Sequence, residues 1–414
     1  MKNIATFINT VLTSLESKDL LKGIDNTAVF YDEPKYFFYS AAINTQATYF
    51  HNYFVANRIS AGGVSFSSRY EALLKCLGEL TDRLGTYSYQ QKLIEYKHTF
   101  HDALNPSLYT PLRDFKTTTF GWIRGTNLTT QKPSYIPAQL VYINYARGKE
   151  PRLTTTSTTG AAGGFDSQSA LIRGIYEIVE VDACMTTYLN QISLPKIDLT
   201  IIQEKTIKNI LNGIQRYALE LYCYDMTHDF GISTFLSIII DRTGIGPAVS
   251  AGTKANLNSL KAIIGSIEEA CMKRAVTRNL LMKQPQQTPF KTAIMTKEDR
   301  AMFWANPAMI KAIDFLLRQK PVPFYFKPFI KTPQEEFSFL VQTLSKKGYC
   351  IYSADITHDF IKKLGYTVQK VLIPGLQPWY VNENKKELNM MRLISVAKYF
   401  HKKNFYFNTI PHPF

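Results

Sequence analysis

The run Ser157-Thr158-Thr159-Gly160-Ala161-Ala162-Gly163-Gly164 leads directly into a segment, 167–190, that reads as a helix and carries Glu177 and Glu180. Small side chains let backbone amides approach a bound group closely. The positive end of the following helix faces the same space, so the loop is suited to hold an anion. Asp166 or Ser167 is the expected cap, because a short polar side chain accepts from the first free amides. Leu171, Ile172, Ile175, Tyr176, Ile178, Val179, Val181 and Ala183 leave this helix apolar on nearly every side. Carboxylates in such a surround call for a cation, an arginine or a shared proton. Arg173, four residues before Glu177, is the simplest partner.

An earlier stretch repeats the arrangement. Ala61-Gly62-Gly63 precedes a helix begun at Ser67 or Ser68, where Ser68-Arg69-Tyr70-Glu71 fits a capping box, and Leu73, Leu77, Leu80 and Leu84 form its apolar stripe. Glu79 and Asp82 repeat the spacing of Glu177 and Glu180, which places each pair on one helix face. Two such helices facing each other would gather four carboxylates. Hard divalent cations take oxygen ligands, and magnesium shares its sphere with waters and nucleotide phosphates. A third helix is expected over 258–281 with Glu268, Glu269, Arg274 and Arg278; its arginines could grip phosphate or pair with acidic groups on a neighbouring element.

Around these helices the chain alternates strands and helices. Residues 36–54 are rich in aromatic and β-branched residues, 120–128 and 134–142 read as two strands, and 194–217 as connecting structure that ends in a helix. A strand over 232–240 turns at Asp241-Arg242-Thr243-Gly244-Ile245-Gly246-Pro247 into 248–252. Residues 304–317 read as a helix, 283–296 as a polar loop, and 349–373 as strand, helix, strand. The N-terminus is amphipathic through Ile4, Phe7, Ile8, Leu12 and Leu15, which suits a helix and not a secretion signal.

In 414 residues no stretch reads as a linker, which favours one large domain or closely fused subdomains. The net charge of +15 implies anionic partners, yet lysines and arginines are dispersed, so a nucleic-acid stripe is not expected. Five widely spaced cysteines without a C-x-x-C pair argue against a four-cysteine zinc site and a disulfide framework, and fit a reducing cytoplasm. No apolar run approaches the roughly 20 residues of a membrane span.

Taken together, these pieces resemble the YcaO family. Ala61-Gly62-Gly63-Val64-Ser65 with Leu77-Gly78-Glu79-Leu80-Thr81-Asp82-Arg83 is similar to its first E-x-x-E-R motif. Ser157 to Gly163 with Glu177-Ile178-Val179-Glu180-Val181-Asp182-Ala183 is similar to its second. Asp241 to Gly252, Glu269 with Arg274, Pro374-Gly375-Leu376-Gln377 and the closing Pro411-His412-Pro413-Phe414 match in order. The resemblance implies an α/β fold with mixed sheets and helices framing an ATP and magnesium site, with an N-terminal helical segment over 1–35 and the YcaO domain over 36–414. It implies ATP- and Mg2+-dependent activation of peptide backbone amides, with cyclodehydration of Cys, Ser or Thr to an azoline ahead of thioamide or amidine formation.

On that mapping Glu79, Asp82, Glu177 and Glu180 hold magnesium. Arg83, Ser157, Thr158, Arg274, Arg278 and Lys75 bind the nucleotide, and the Phe414 carboxylate is a candidate base. A precursor peptide and a separate leader-binding protein, similar to ubiquitin-activating enzymes, are the implied partners; a homo-oligomer is compatible, and no further domain is expected ahead of the core. Five positions depart from the family pattern: Asp82 for glutamate, Thr159 for asparagine, Val181 for the motif arginine, Met272 for a frequent glutamine, and Lys75. Lys75 stands where serine is common, and Arg173 or Arg278 could supply the phosphate-binding charge that Val181 does not carry. These departures motivate the reading from another class, a non-catalytic scaffold that binds peptide or nucleotide.

Overall fold

Apolar residues at 7, 8, 11 and 15 fall on one face of a helix, and all four are buried in the computed structural model. The structure describes residues 4–27, 29–109, 115, 117–143, 145–283, 294–326, 329, 332–402 and 405–414. In chain order its first half contains α1 (Ile4–Glu16), β1 (Leu21–Asn26), β2 (Phe37–Ile43), β3 (Phe54–Val55), β4 (Ser60–Ser65), α2 (Arg69–Tyr87), β5 (Ser88–Tyr89), β6 (Glu95–Lys97), β7 (Phe120–Asn127), β8 (Lys132–Pro137), β9 (Ala161–Gly164) and α3 (Ser167–Leu189). The second half contains β10 (Lys196–Ile197), α4 (Lys205–Arg216), β11 (Leu219–Asp225), β12 (Thr234–Asp241), β13 (Val249–Ala255), α5 (Ser259–Lys283), α6 (Lys297–Ala305), α7 (Asp314–Leu317) and β14 (Pro321–Val322). It closes with α8 (Pro333–Lys346), β15 (Tyr352–Asp355), α9 (Asp359–Lys363), β16 (Thr367–Leu372) and α10 (Met390–Tyr399).

Three sheets carry the helices. β1-β2-β4 form one, β6-β7-β15-β16-β9 with β8 beside β7 form a second, and β13-β12-β11-β10-β14 form a third, in which only the β10–β14 pairing is parallel. The β-branched run of β12 is buried along its whole length, as a strand covered on both faces must be. Helix α2 lies against the first sheet at Gly63, where a Cβ would stand 2.2 Å from the Ala72 carbonyl oxygen and 2.3 Å from the Cys76 nitrogen. Helix α5 lies against β13 at Gly252, where a Cβ would stand 2.3 Å from the Ala270 nitrogen. Each contact needs a residue without a side chain. Helix α3 packs on β9, β16 and β13, while α2 also reaches β9, so two short strands bring all three helices together.

Several expectations are modified. The 1–35 segment contributes β1 as well as α1, and its Glu33 is buried. The helix expected over 304–317 instead starts at Lys297, with Thr296 and Asp299 in a reciprocal capping box, and stops at Asn306. Pro307 disfavours helical geometry in the residue before it, and a 3-10 turn over 307–313 follows. The second strand expected over 134–142 ends at Pro137 in a 3-10 turn. Of the loop expected over 283–296, residues 284–293 lie outside those described. All five cysteines are free, and among the described residues no helix is long and apolar enough to cross a membrane.

Buried histidines give the fold a measurable acid response. His358 lies between the Ser88 hydroxyl, 2.8 Å from Nε2, and the Tyr49 hydroxyl, 2.8 Å from Nδ1, and burial pulls its pKa down to about 4. The unfolded chain therefore binds the proton first as pH falls below about 6.5, and the stability held by neutral His358 is present above that pH and lost toward about 4. Relative to His358→Gln, the native protein should lose about 1.4 kcal/mol of unfolding free energy per pH unit in that window. Urea unfolding of both proteins from pH 7.5 to 4.5 checks it; parallel curves would contradict it.

Candidate active site

Helix α2 starts where the Ser68 hydroxyl accepts from the Glu71 amide, half of the expected capping box. Glu71 does not return the bond to Ser68; its carboxylate takes the Ser65 hydroxyl at 2.9 Å and Lys75 at 2.9 Å. Helix α3 starts at Asp166, whose side chain accepts from the Ser169 amide at 2.7 Å. These starts place Glu79 and Asp82 on α2 opposite Glu177 on α3, and Glu180 one turn further along α3.

Burial, Glu79 and Glu177 together push the Asp82 pKa well up. Burial and Glu79 likewise raise Glu177. For Glu180 burial is again the largest cause, opposed by Lys254. Carboxylates that raise one another's pKa are close enough to repel. The Oδ1 atom of Asp82 is buried and makes no well-formed hydrogen bond among the described residues, although the Gly163 amide beside the carboxylate lowers its pKa. An unsatisfied buried carboxylate oxygen is costly, so a cation there would relieve both the repulsion and the missing partner. As they stand, no group of three or more His, Cys, Asp or Glu among the described residues is drawn tightly enough to chelate one ion. The donor chemistry nevertheless fits magnesium, which keeps waters between itself and some of its ligands.

The small-residue loop closes one side. Gly160 is left-handed, with φ +83°, and its amide donates to Glu177 Oε2 at 3.1 Å. The amide that sequence alone assigns to a bound anion is thus already used to aim a carboxylate. Lys370 on β16 is buried and donates to the Ser157 and Thr159 carbonyls at 2.6 and 2.7 Å, fixing the backbone of Ser157 and Thr158 beside Glu177. Lys254 on β13 stands 3.8 Å from Glu180 Oε2, and Glu180 itself accepts the Thr253 hydroxyl at 2.8 Å and the Ala255 amide at 3.1 Å. Neither lysine lies in a sequence motif that would single it out.

The arginines and Lys75 are engaged differently from one another. Arg83 bonds Glu79 Oε1 at 2.7 Å and the Ser60 carbonyl, so it borders the carboxylates. Arg173 donates to the Gly163 carbonyl at 3.1 Å, and its charge lowers the pKa of Asp82, so the simple pairing with Glu177 is not the one formed. Arg274 donates to Glu33, to Asp241 and to the Pro247 carbonyl, and Arg278 to Glu33 and Asp32. Of the two readings open for these arginines, pairing with acidic neighbours is the one the geometry forms. Lys75 is likewise taken up by Glu71 and by Glu268 at 2.7 Å. The 408–414 tail is held in place: Tyr188 and Trp304 both donate to the Pro411 carbonyl, and the Phe414 ring stacks on His412 and meets Tyr188 edge-on.

Comparison with known proteins adds the family. The family model described as YcaO cyclodehydratase, ATP- and Mg2+-binding, matches residues 66–377. An uncharacterised protein of Methanothermobacter thermautotrophicus is 25% identical over 331 residues, covering 77% of this chain and 82% of its own. Among solved structures, a heterocyclase in complex with substrate and cofactor superposes with a TM-score of 0.77 at 18% identity; 98% of this chain is covered, which spans 57% of that protein. The YcaO protein of Methanopyrus kandleri bound with AMPPCP and Mg2+ gives a TM-score of 0.67 at 15% identity over 93% of this chain and 94% of its own. At these identities the structural likeness is one of fold.

Proposed function

This chain belongs to the YcaO family, ATP- and Mg2+-binding cyclodehydratases, and on that premise we propose that it activates backbone amides of a ribosomally made peptide for cyclodehydration at Cys, Ser or Thr. The observation that carries the proposal is that Glu79 and Glu177 lie near enough to Asp82 for their charges to raise its pKa well above the usual carboxylate range. When bound, ATP supplies the phosphoryl group and Mg2+ balances charge on its phosphates. Glu79, Asp82, Glu177 and Glu180 would hold the metal, Ser157 and Thr158 would line the nucleotide side, and Arg83 would border the phosphates. Such chemistry asks a protein chiefly for position and fixed charge, which the Gly160 amide and the Lys370 clamp provide here.

In the substrate, a thiol or hydroxyl adds to the preceding carbonyl. That addition closes the ring as the thiol or hydroxyl proton is lost; the resulting oxygen would take the phosphoryl group from ATP, leaving ADP, and phosphate then leaves with the amide N–H proton, which makes the C=N bond of the azoline. A precursor peptide and a protein that presents it are the partners this requires. Co-expression with a neighbouring gene for a short Cys/Ser/Thr-rich peptide, followed by mass spectrometry, tests the reading: loss of one water per modified residue is expected. Exchange of oxygen for sulfur would instead establish thioamide formation, and an unmodified peptide in the presence of the presenting partner would count against amide activation.

A further inference from the structure

Among the described residues most cations near the carboxylates are held by a partner, and the ammonium of Lys297, whose charge interacts with Glu79, rests 4.9 Å over the Trp379 ring. Lys370 is committed to two carbonyls, Arg83 to Glu79 and the Ser60 carbonyl, and Lys273 to Glu269 at 2.9 Å. Lys254 differs. Its stem crosses α5 at Gly265, where a Cβ would come within 2.9 Å of Lys254 Cγ, so the absence of a side chain there keeps its path open. Its ammonium lies 3.8 Å from Glu180 Oε2, too far for a hydrogen bond, and no other hydrogen bond holds it among the described residues. The side chain is 50% exposed, so this lysine stands at the carboxylates and also faces solvent.

We propose that Lys254 contacts the phosphates of the nucleotide, turning its ammonium from Glu180 toward their oxygens. The inference rests on the nucleotide-binding function proposed above. A lysine ammonium beside a carboxylate is charged at neutral pH, which is the charge the role needs. A lysine serves phosphate as a point charge and can swing between two partners, which a guanidinium locked in a fork cannot.

The test compares the native protein with Lys254→Met, which keeps the stem over Gly265 and removes the charge, and with Lys254→Arg. Binding of a non-hydrolysable ATP analogue and of adenosine is measured with magnesium present. A charge-assisted hydrogen bond corresponds to a loss of about tenfold or more in analogue affinity for Lys254→Met. Adenosine affinity should change less than about twofold, and Lys254→Arg, which keeps the charge but not the freedom to swing, should lose less analogue affinity than Lys254→Met. Analogue binding by the native protein that Lys254→Met leaves unchanged or tightens would overturn the assignment while leaving the functional reading intact. An equal fall for adenosine and analogue would also overturn it, by showing a damaged pocket. Failure of the native protein to bind the analogue at all would sink the functional reading and this inference with it.

Discussion

Replacing Glu177 with glutamine should lower ATP-dependent turnover by about 100-fold or more, the scale on which a preorganised charged group contributes to charge stabilisation. The fold should survive, because the amide oxygen of glutamine can still accept from Gly160, the one hydrogen bond that fixes the native side chain among the described residues. Stability without magnesium should be unchanged or slightly higher. The pKa of Glu177 is raised by burial and by Glu79, which means that its ionised form is disfavoured where it sits, and the substitution removes that charge. Steady-state phosphate release and thermal melting with and without magnesium check both halves. A variant that turns over ATP at the native rate would remove Glu177 from the site, and a native protein with no turnover beside its presented peptide would favour a scaffold.

Arg392→Met should cost about 3–5 kcal/mol of stability, the largest effect expected of any substitution named. The Arg392 guanidinium is 1% exposed and bonds Asp182 at 2.6 Å and Asp229 at 2.8 Å, with Phe230 4.6 Å beneath it. Burial already raises the pKa of Asp182, and Arg392 is the main group opposing that. Without it, Asp182, buried on α3, would keep only the Gln377 amide, and the half-buried Asp229 would lose its ion-pair partner. The additional change Asp182→Asn should recover part of the loss, since the neutral side chain can still accept from the Gln377 amide that Asp182 now holds at 2.8 Å. Urea unfolding of the two variants measures this. A loss below about 1 kcal/mol for Arg392→Met would show that the network is not structural.

The parts of the site legible in the sequence are those with a local signal. Glu79 with Asp82 and Glu177 with Glu180 share a helix face because three residues make nearly one turn, and Ser68 and Asp166 mark the helix starts that set their direction. The glycines of 61–63 and 160–164 pointed to close backbone approach, which the structure realises at Gly63 and Gly160. What stayed hidden depends on long-range pairing. Arg274 meets Glu33 across 241 residues, and Arg392 meets Asp182 across 210, so neither pair leaves a periodic or adjacent trace. Lys370 and Lys254 are single lysines in strands, and only the pairing of β16 with β9 and the packing of α3 on β13 bring them to the carboxylates. The break in the helix expected over 304–317 did carry a signal, Pro307, and the apolar run through Trp304 and Leu317 outweighed it.

The central claim is that the facing carboxylates of α2 and α3 form a magnesium-dependent nucleotide site. Calorimetric titration of the native protein with a non-hydrolysable ATP analogue, once with magnesium and once with a chelator, tests it most directly. Saturable binding that the chelator abolishes is the predicted result. Binding of equal strength in the chelator, or none with magnesium, would contradict it.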